Sequence, residues 1–452
     1  MSNSKSSPKK RSSSSSNYRS RHREKSHAAS AHLVANFKPP KIADLPGVST
    51  GEAELIESQE GLDGVIARIR EGSEGNSGAH SGGVAFDTEF IGEESYYPRL
   101  CVVQLGTVDF VALVDPLAGV DLTPVWELLA DPSVVKIVHA GRQDLEPVVR
   151  HLGKPPANVF DTQIAAGFAG FPYPTGLQKM VQSLLGVKLA KGLTFTHWDD
   201  RPLSSMHQHY AADDVRYLPA LRMAILDRLQ QLNHVAWADE ECSSMCRAED
   251  YVFNAEVQVK RVKGKGRMRP RELAILRELV AIRDDAAKTW DEPPRAVVKD
   301  DVMVAMAKEP VKDVAKMAEM RGMPRPFREE YGHQVVEATA RALAIDPHDL
   351  PRPLTHEETP EDKMRIDAMW AAVSAYCLGR SIDPGMVGNR HDAAACYRKL
   401  ASSRGSEEIA LFRGWRGDAL EGVVRGFMEG NTDIVLGWRQ GGPSSSTAGG
   451  AD

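Results

Sequence analysis

The sequence predicts a mixed α/β sheet flanked by helices in the first half of the chain and all-helical units in the second. Two observations carry that reading. Short β-rich runs at Val84-Ala85-Phe86, Leu100 to Leu105, Phe110 to Asp115 and Val134 to Val138 alternate with helical stretches as far as about residue 235. From Arg271 onward the apolar residues recur at helical spacing instead, as in Leu273, Leu276, Val280 and Ala287.

Taken in order, residues 1–45 form a basic, serine-rich tail. Residues 1–30 carry eight Lys and Arg against Glu24 alone, a net +7, which leaves −13 on the remainder of a chain whose total is −6. Such a segment has too few apolar side chains to fold alone. Nonspecific attraction to phosphates and a merely solvated extension are equally good readings, and an Arg/Ser-rich transit peptide is a lesser one. Residues 46–235 make the α/β unit. They open with an entry helix between 46 and about 80 that includes Leu55-Ile56 and Val65 to Ile69, then a Gly/Ser loop from Glu71 to Gly83. An antiparallel meander and the Val134–Val138 strand follow. Asp144 falls in the helical stretch after Gly141. A long helix from Ser204 carries Leu218, Leu221, Ile225 and Leu229 on one stripe, with a kink at Pro219.

Residues 236–268 read as a charged linker whose basic end, Lys260 to Pro270, either grips phosphates or is simply solvated. Residues 269–352 form a helical domain: Pro293-Pro294 stops its first helix, shorter helices span Asp300–Lys308 and Val311–Met320, and a longer one follows Pro326. A second helical unit covers 353–440, and 441–452 is a flexible Gly/Ser end. With 452 residues and 42% hydrophobic content, the chain has material for two to four cores. No apolar run approaches the roughly 20 residues needed to cross a bilayer, so a membrane location is not expected. Five cysteines, an odd number, suit reduced thiols in a cytoplasm; Cys242 and Cys246 lack a second pair for zinc.

Chemistry concentrates at Asp87-Thr88-Glu89. In a strand, Asp87 and Glu89 share one face while Phe86, Thr88 and Phe90 face the other. Tyr210 and Asp214, four apart on a helix, also share a face. Together with Asp144 they supply four carboxylates and a phenol, a set suited to two divalent cations, magnesium or manganese, for phosphodiester hydrolysis. A lone D-x-E pair is weak evidence, because it recurs at Asp144/Glu146 and Asp239/Glu241. The order of the acids is what argues. His209 lies five residues before Asp214, and five residues turn a helix about 500° against about 400° for four, so Tyr210 projects nearer to Asp214.

These residues sit within longer matching text: Phe86-Asp87-Thr88-Glu89-Phe90, Tyr96-Tyr97-Pro98, Val103-Gln104-Leu105, His139-Ala140-Gly141-Arg142-Gln143-Asp144-Leu145-Glu146, Phe160-Asp161-Thr162-Gln163, Arg201-Pro202-Leu203 and Tyr210-Ala211-Ala212-Asp213-Asp214. The chain thereby resembles the ribonuclease D branch of the DEDD 3′–5′ exonucleases over most of residues 80–225. The resemblance implies a ribonuclease H-like core, metal binding by Asp87, Glu89, Asp144 and Asp214, and a nucleophilic water placed with the help of Tyr210. It departs at Thr196-His197-Trp198, where the family usually has Ser-Asp-Trp. Residues 269–352 are similar to the family's HRDC domain and the unit containing Phe412-Arg413-Gly414-Trp415-Arg416 to its weaker second repeat, both implying a grip on RNA, with tRNA precursors as implied substrates. Thr88, Phe90 and His139 are candidate substrate contacts: Phe90 as a stacking platform, and His139 either near substrate or, the favoured reading, as a hydrogen-bonded structural residue. A 3′–5′ exonuclease of DNA and a noncatalytic RNA-binding scaffold are the alternatives.

Overall fold

The computed structural model describes residues 42 and 44–448, except 75–82, 93, 191–196, 267, 352–357, 402–408, 432 and 440–441. The basic tail expected over residues 1–45 therefore lies almost wholly outside the described residues. Six strands form one sheet: β1 (Glu54–Ile56), β2 (Val84–Ile91), β3 (Arg99–Gly106), β4 (Val111–Val114), β5 (Lys136–Val138) and β6 (Val159–Asp161), in the order β1-β4-β3-β2-β5-β6. The β2-β3-β4 meander is antiparallel, while β1 runs parallel to β4, and β5 and β6 run parallel to β2. β2 is thus central, and its register shifts between Glu89 and Phe90. Such a bulge bends the strand end and re-aims the side chains there.

Helices cover both faces of the sheet. On one side α1 (Gln59–Glu74), α2 (Thr123–Ala130) and α3 (Glu146–Leu152) bury Leu62, Ile66, Trp126, Leu129 and Val148 against Phe86, Val103 and Leu105. After α4 (Thr162–Gly167) and α5 (Leu177–Leu185), helices α6 (Ser205–Arg216) and α7 (Leu218–Leu232) cover the other face, where Val215, Leu221 and Ile225 meet Ala85, Cys101 and Ile137. Because the strand alternates, Asp87 and Glu89 point toward the α6 side with Ala85, and Thr88 toward the α1–α3 side with Phe86.

The chain continues through α8 (Val235–Ser243), α9 (Ala255–Arg261), α10 (Pro270–Trp290), α11 (Pro294–Val297), α12 (Asp300–Lys308), α13 (Val314–Met317) and α14 (Arg325–Ala344). From α9 to α14 these residues build a core of their own: Leu273, Leu276, Val280 and Ala287 of α10 pack with Met303, Phe327 and Val335. Then come α15 (Pro360–Gly379), α16 (Pro384–Val387), α17 (Arg390–Ala401) and α18 (Trp415–Met428). Their core is continuous with that of α6 and α7. Trp415, fully buried, meets the Phe168 ring edge-on at 4.7 Å, and its Nε1 donates to Glu241 Oε2 at 2.7 Å, while the backbone N–H of Trp415 donates to Glu240. Gly414, at φ +54°, has no room for a side chain: a Cβ there would sit 1.8 Å from Glu240 Oε1.

Several elements differ from the expectation. Leu55-Ile56 lie in β1, not in the entry helix; the Ser58 hydroxyl accepts from Gly61 N at 3.2 Å and starts the helix only at Gln59. The long helix from Ser204 is two helices rather than one kinked helix. The break falls at Tyr217, and Pro219 sits in the first turn of α7, where an amide hydrogen is not needed. Asp144 belongs to the 141–145 turn ahead of α3 rather than to a helix. The charged stretch 236–268 is largely helical and partly core, with Ala238, Cys242 and Met245 buried. At the C-terminal end, Gly442–Ala448, expected as a flexible end, pairs antiparallel with Asp433–Arg439. Composition alone does not register a strand partner a few residues upstream. The second of the short helices is confined to Val314–Met317, where Asp313 caps it by accepting from Ala315 N. Among the described residues no helix is long and apolar enough to cross a membrane.

Candidate active site

The acidic side chains are brought together by three separate elements. β2 supplies Asp87 and Glu89, the turn after β5 supplies Asp144, and α6 supplies Asp214 with Tyr210. The Ser204 hydroxyl caps α6 by accepting from His207 N at 3.2 Å, and Ala211, Ala212 and Val215 bury its inner face, which fixes the rotation of the helix over β2.

The Asp144 turn is held by Asp161, the buried N-cap of α4. Its carboxylate accepts from Gln163 N and Ile164 N at 2.8 and 3.3 Å, and from Ala140 N and Gly141 N at 3.1 Å each. One side chain therefore ties a helix start to the turn that presents Asp144. A Cβ at Gly141 would come within 2.6 Å of Val138 Cβ, so this turn packs against β5 only with glycine. The Thr88 hydroxyl completes the placement, donating to Asp144 Oδ1 at 2.5 Å, while Thr88 N donates to Asp87 Oδ1 at 2.9 Å.

The four acids act on one another electrostatically. Burial, then Asp144 and Asp214, hold the Asp87 carboxyl well above its ordinary value. Burial, then Asp87 and Asp144, push Glu89 up to about 9. Asp214 is raised well above its ordinary value by burial and by Glu89, Asp213 and Asp144; Asp144 is raised by burial against the opposing Thr88 hydrogen bond. The Tyr210 phenol is raised by burial and then by Asp214, Glu89 and Asp87. No arginine or lysine is among the causes of these shifts. Four acids that share a half-buried space without a counter-charge need protons or cations. Among the described residues, no group of three or more His, Cys, Asp or Glu side chains is gathered tightly enough to hold an ion as it stands. The donor set nevertheless fits hard divalent cations, since every available donor is a carboxylate oxygen.

The other candidates are distributed differently. His209 lies 3.3 Å from Asp213, while Tyr210 is the residue that feels Glu89 and Asp87. His139 meets the Thr162 hydroxyl at 2.9 Å, and that hydroxyl donates to Val138 O; burial pushes the imidazole down to about 4, so it is neutral at pH 7. Phe90 is partly buried, just past the register shift of β2. Arg201, singled out with Pro202 and Leu203, grips Asp115 through Nε and Nη2 at 2.5 and 2.6 Å and also donates to Trp198 O and Cys101 O. This anchor places the Trp198 ring 4.9 Å from His207 and 6.0 Å from Tyr210. Sequence reasoning missed Lys179, which lines a cleft of ≈ 330 Å³ together with Gln178, Tyr210, Asp213 and Asp214. A helix-borne lysine looks like any surface charge until α5 is seen to face α6.

Comparison with known proteins shows the family. A family model described as 3′–5′ exonuclease matches residues 54–266, and the HRDC domain model matches residues 272–339. The chain is 34% identical over 372 residues to the ribonuclease D of Gluconacetobacter diazotrophicus, covering 80% of this chain and 89% of that protein. It is 35% identical over 365 residues to the ribonuclease D of Nitrobacter hamburgensis, covering 80% and 92%. The chain belongs to the ribonuclease D family. Its fold matches the crystal structure of Escherichia coli RNase D with a TM-score of 0.68 at 25% identity, over 84% of this chain and 99% of that one. The expected fold class, a mixed-sheet exonuclease core followed by a helical HRDC region, is thereby borne out, and the chain carries the 3′–5′ exonuclease function of a family that generally uses divalent metal ions.

Proposed function

We propose that the protein removes nucleotides from the 3′ ends of RNA by metal-dependent hydrolysis, with tRNA precursors among its substrates and the cytoplasm as its place of action. The observation that supports this most strongly is the convergence of Asp87, Glu89, Asp144 and Asp214 from three different elements, where burial and one another's proximity hold their carboxyls above the ordinary range with no basic side chain among the causes.

In this reading the four carboxylates hold two divalent cations, magnesium or manganese. When bound, these supply an acidified water and neutralise charge on the departing 3′ oxygen. Asp87, central in β2 and influenced by both Asp144 and Asp214, would hold metal together with them. Thr88 keeps Asp144 from rotating away. Tyr210, whose phenol stays protonated at pH 7, offers a hydroxyl at the edge of the acidic cluster to orient the attacking water. Lys179 supplies positive charge in the adjoining cleft for a phosphate of the bound strand. His139, neutral and bonded to Thr162, acts on the architecture of the site rather than on substrate.

The test is Asp87→Asn on a 5′-labelled RNA in magnesium. The parent should produce a ladder shortening from the 3′ end, whereas the variant should bind the RNA as well as the parent and leave it intact. Unchanged shortening by the variant would refute the assignment. Matched RNA and DNA oligomers digested side by side decide the sugar preference.

A further inference from the structure

The connection between β2 and β3 carries a residue that reaches the HRDC unit. Tyr96 Oη donates to Asp284 Oδ1 of α10 at 2.8 Å, and Tyr96 N donates to Asp291 Oδ1, just past the end of α10, at 3.1 Å. Lys288, itself 2.8 Å from Asp284, sits over the Tyr96 ring at 5.4 Å from its centroid. The ring packs against the HRDC core cluster, not against the core of the sheet. A residue of the nuclease half thus belongs, by its contacts, to the helical half.

The contacts continue toward the acids. Tyr97 meets Tyr96 edge-on at 4.7 Å, and the Arg150 guanidinium of α3 lies 4.3 Å from the Tyr97 ring centroid. Arg150 reaches back to Glu146 at 3.7 Å, two residues beyond Asp144. On its other side the same connection leads directly into β2, which carries Asp87 and Glu89. The Tyr96-Tyr97 pair thus joins α10 to α3, the helix that follows Asp144, from within the connection that follows β2.

We propose that Tyr96 is a positioning residue, through which the docked HRDC unit fixes the relative placement of the β2 acids and Asp144. This rests on the nuclease reading above. Acids drawn from separate elements keep their relative places only where those elements are restrained, and a fixed hydroxyl–carboxylate bond between units supplies such restraint. The HRDC unit then contributes to hydrolysis even of a substrate too short to touch it.

A dinucleotide, with a single scissile bond that must sit at the acidic site, separates this from a role in RNA grip. Tyr96→Phe and Asp284→Ala should each lower kcat on the dinucleotide about fivefold and raise the half-saturating magnesium concentration about threefold, with KM little changed. The double variant should be no worse than either single one, because both remove one bond. Thermal melting of each variant checks that it folds. Dinucleotide kcat and magnesium requirement equal to the parent's, with loss confined to stability or to affinity for long RNA, would overturn the proposal. A parent that cleaves nothing refutes the nuclease reading instead; the latch is then judged by Mn²⁺ affinity in calorimetry, where unchanged binding in Tyr96→Phe overturns it.

Discussion

Replacing Glu89 with Gln should abolish metal-dependent hydrolysis and yet stabilise the metal-free protein. Burial and the neighbouring Asp87 and Asp144 push the Glu89 carboxyl from 4.5 to about 9 in the folded chain, while an unfolded chain ionises it near its ordinary value. A folded pKa above the unfolded one gives stability that is complete at low pH and lost as pH rises toward the folded value. At pH 7.5 the unfolded chain has gained about three pH units of ionisation, at about 1.4 kcal/mol each, so Glu89 costs the metal-free fold about 4 kcal/mol. Gln carries no charge in either state and escapes that cost. The assay is urea denaturation in a chelator at several pH values between 5 and 9, on parent and Glu89→Gln. The variant should match the parent near pH 5 and exceed it by several kcal/mol at pH 8. His139, whose pKa is depressed to about 4, works in the opposite direction below about pH 6.5, but equally in both proteins, so it cancels in the difference. Saturating magnesium should restore stability to the parent more than to the variant. Parallel pH profiles for the two proteins would refute the claim that Glu89 shares a repulsive site with Asp87 and Asp144.

Tyr210→Phe should lower kcat about 100-fold with RNA affinity unchanged, whereas His209→Ala should cost less than about threefold; single-turnover kinetics of both variants checks which ring orients the water. Lys179→Ala should raise KM roughly tenfold and leave kcat nearly intact, measured on the same RNA, as expected for loss of one charge-assisted phosphate contact. Trp415→Ala should destabilise the chain by about 3–5 kcal/mol in urea titration, since it empties a fully buried site between the C-terminal helices and Phe168 and strips Glu241 of one donor.

What could be read from the sequence was set by local periodicity. Asp87 with Glu89, and Tyr210 with Asp214, are pairs whose shared face follows from strand and helix repeat alone, and the structure brings both pairs into one electrostatic cluster. Tertiary partners were not legible in that way. Thr88 was expected on the face turned from Asp87, and it is, yet from that side its hydroxyl reaches Asp144 because the 141–145 turn descends past the end of β5. Asp161 looked like part of a motif and proves to be the clamp of that turn, a role that depends on amides twenty residues earlier. The acidic run Asp239-Glu240-Glu241 reads as solvated linker because nothing nearby in the chain shows that Trp415 and Arg416, some 175 residues on, supply its partners. Tyr96 falls in the same class: its partners lie 188 and 195 residues away.

Anomalous diffraction from crystals soaked in manganese tests the central claim most directly. Ions bounded by carboxylates of Asp87, Glu89, Asp144 and Asp214, with Tyr210 beside them, are the predicted result. Manganese bound elsewhere, with these four side chains left empty at concentrations that support hydrolysis, would contradict it.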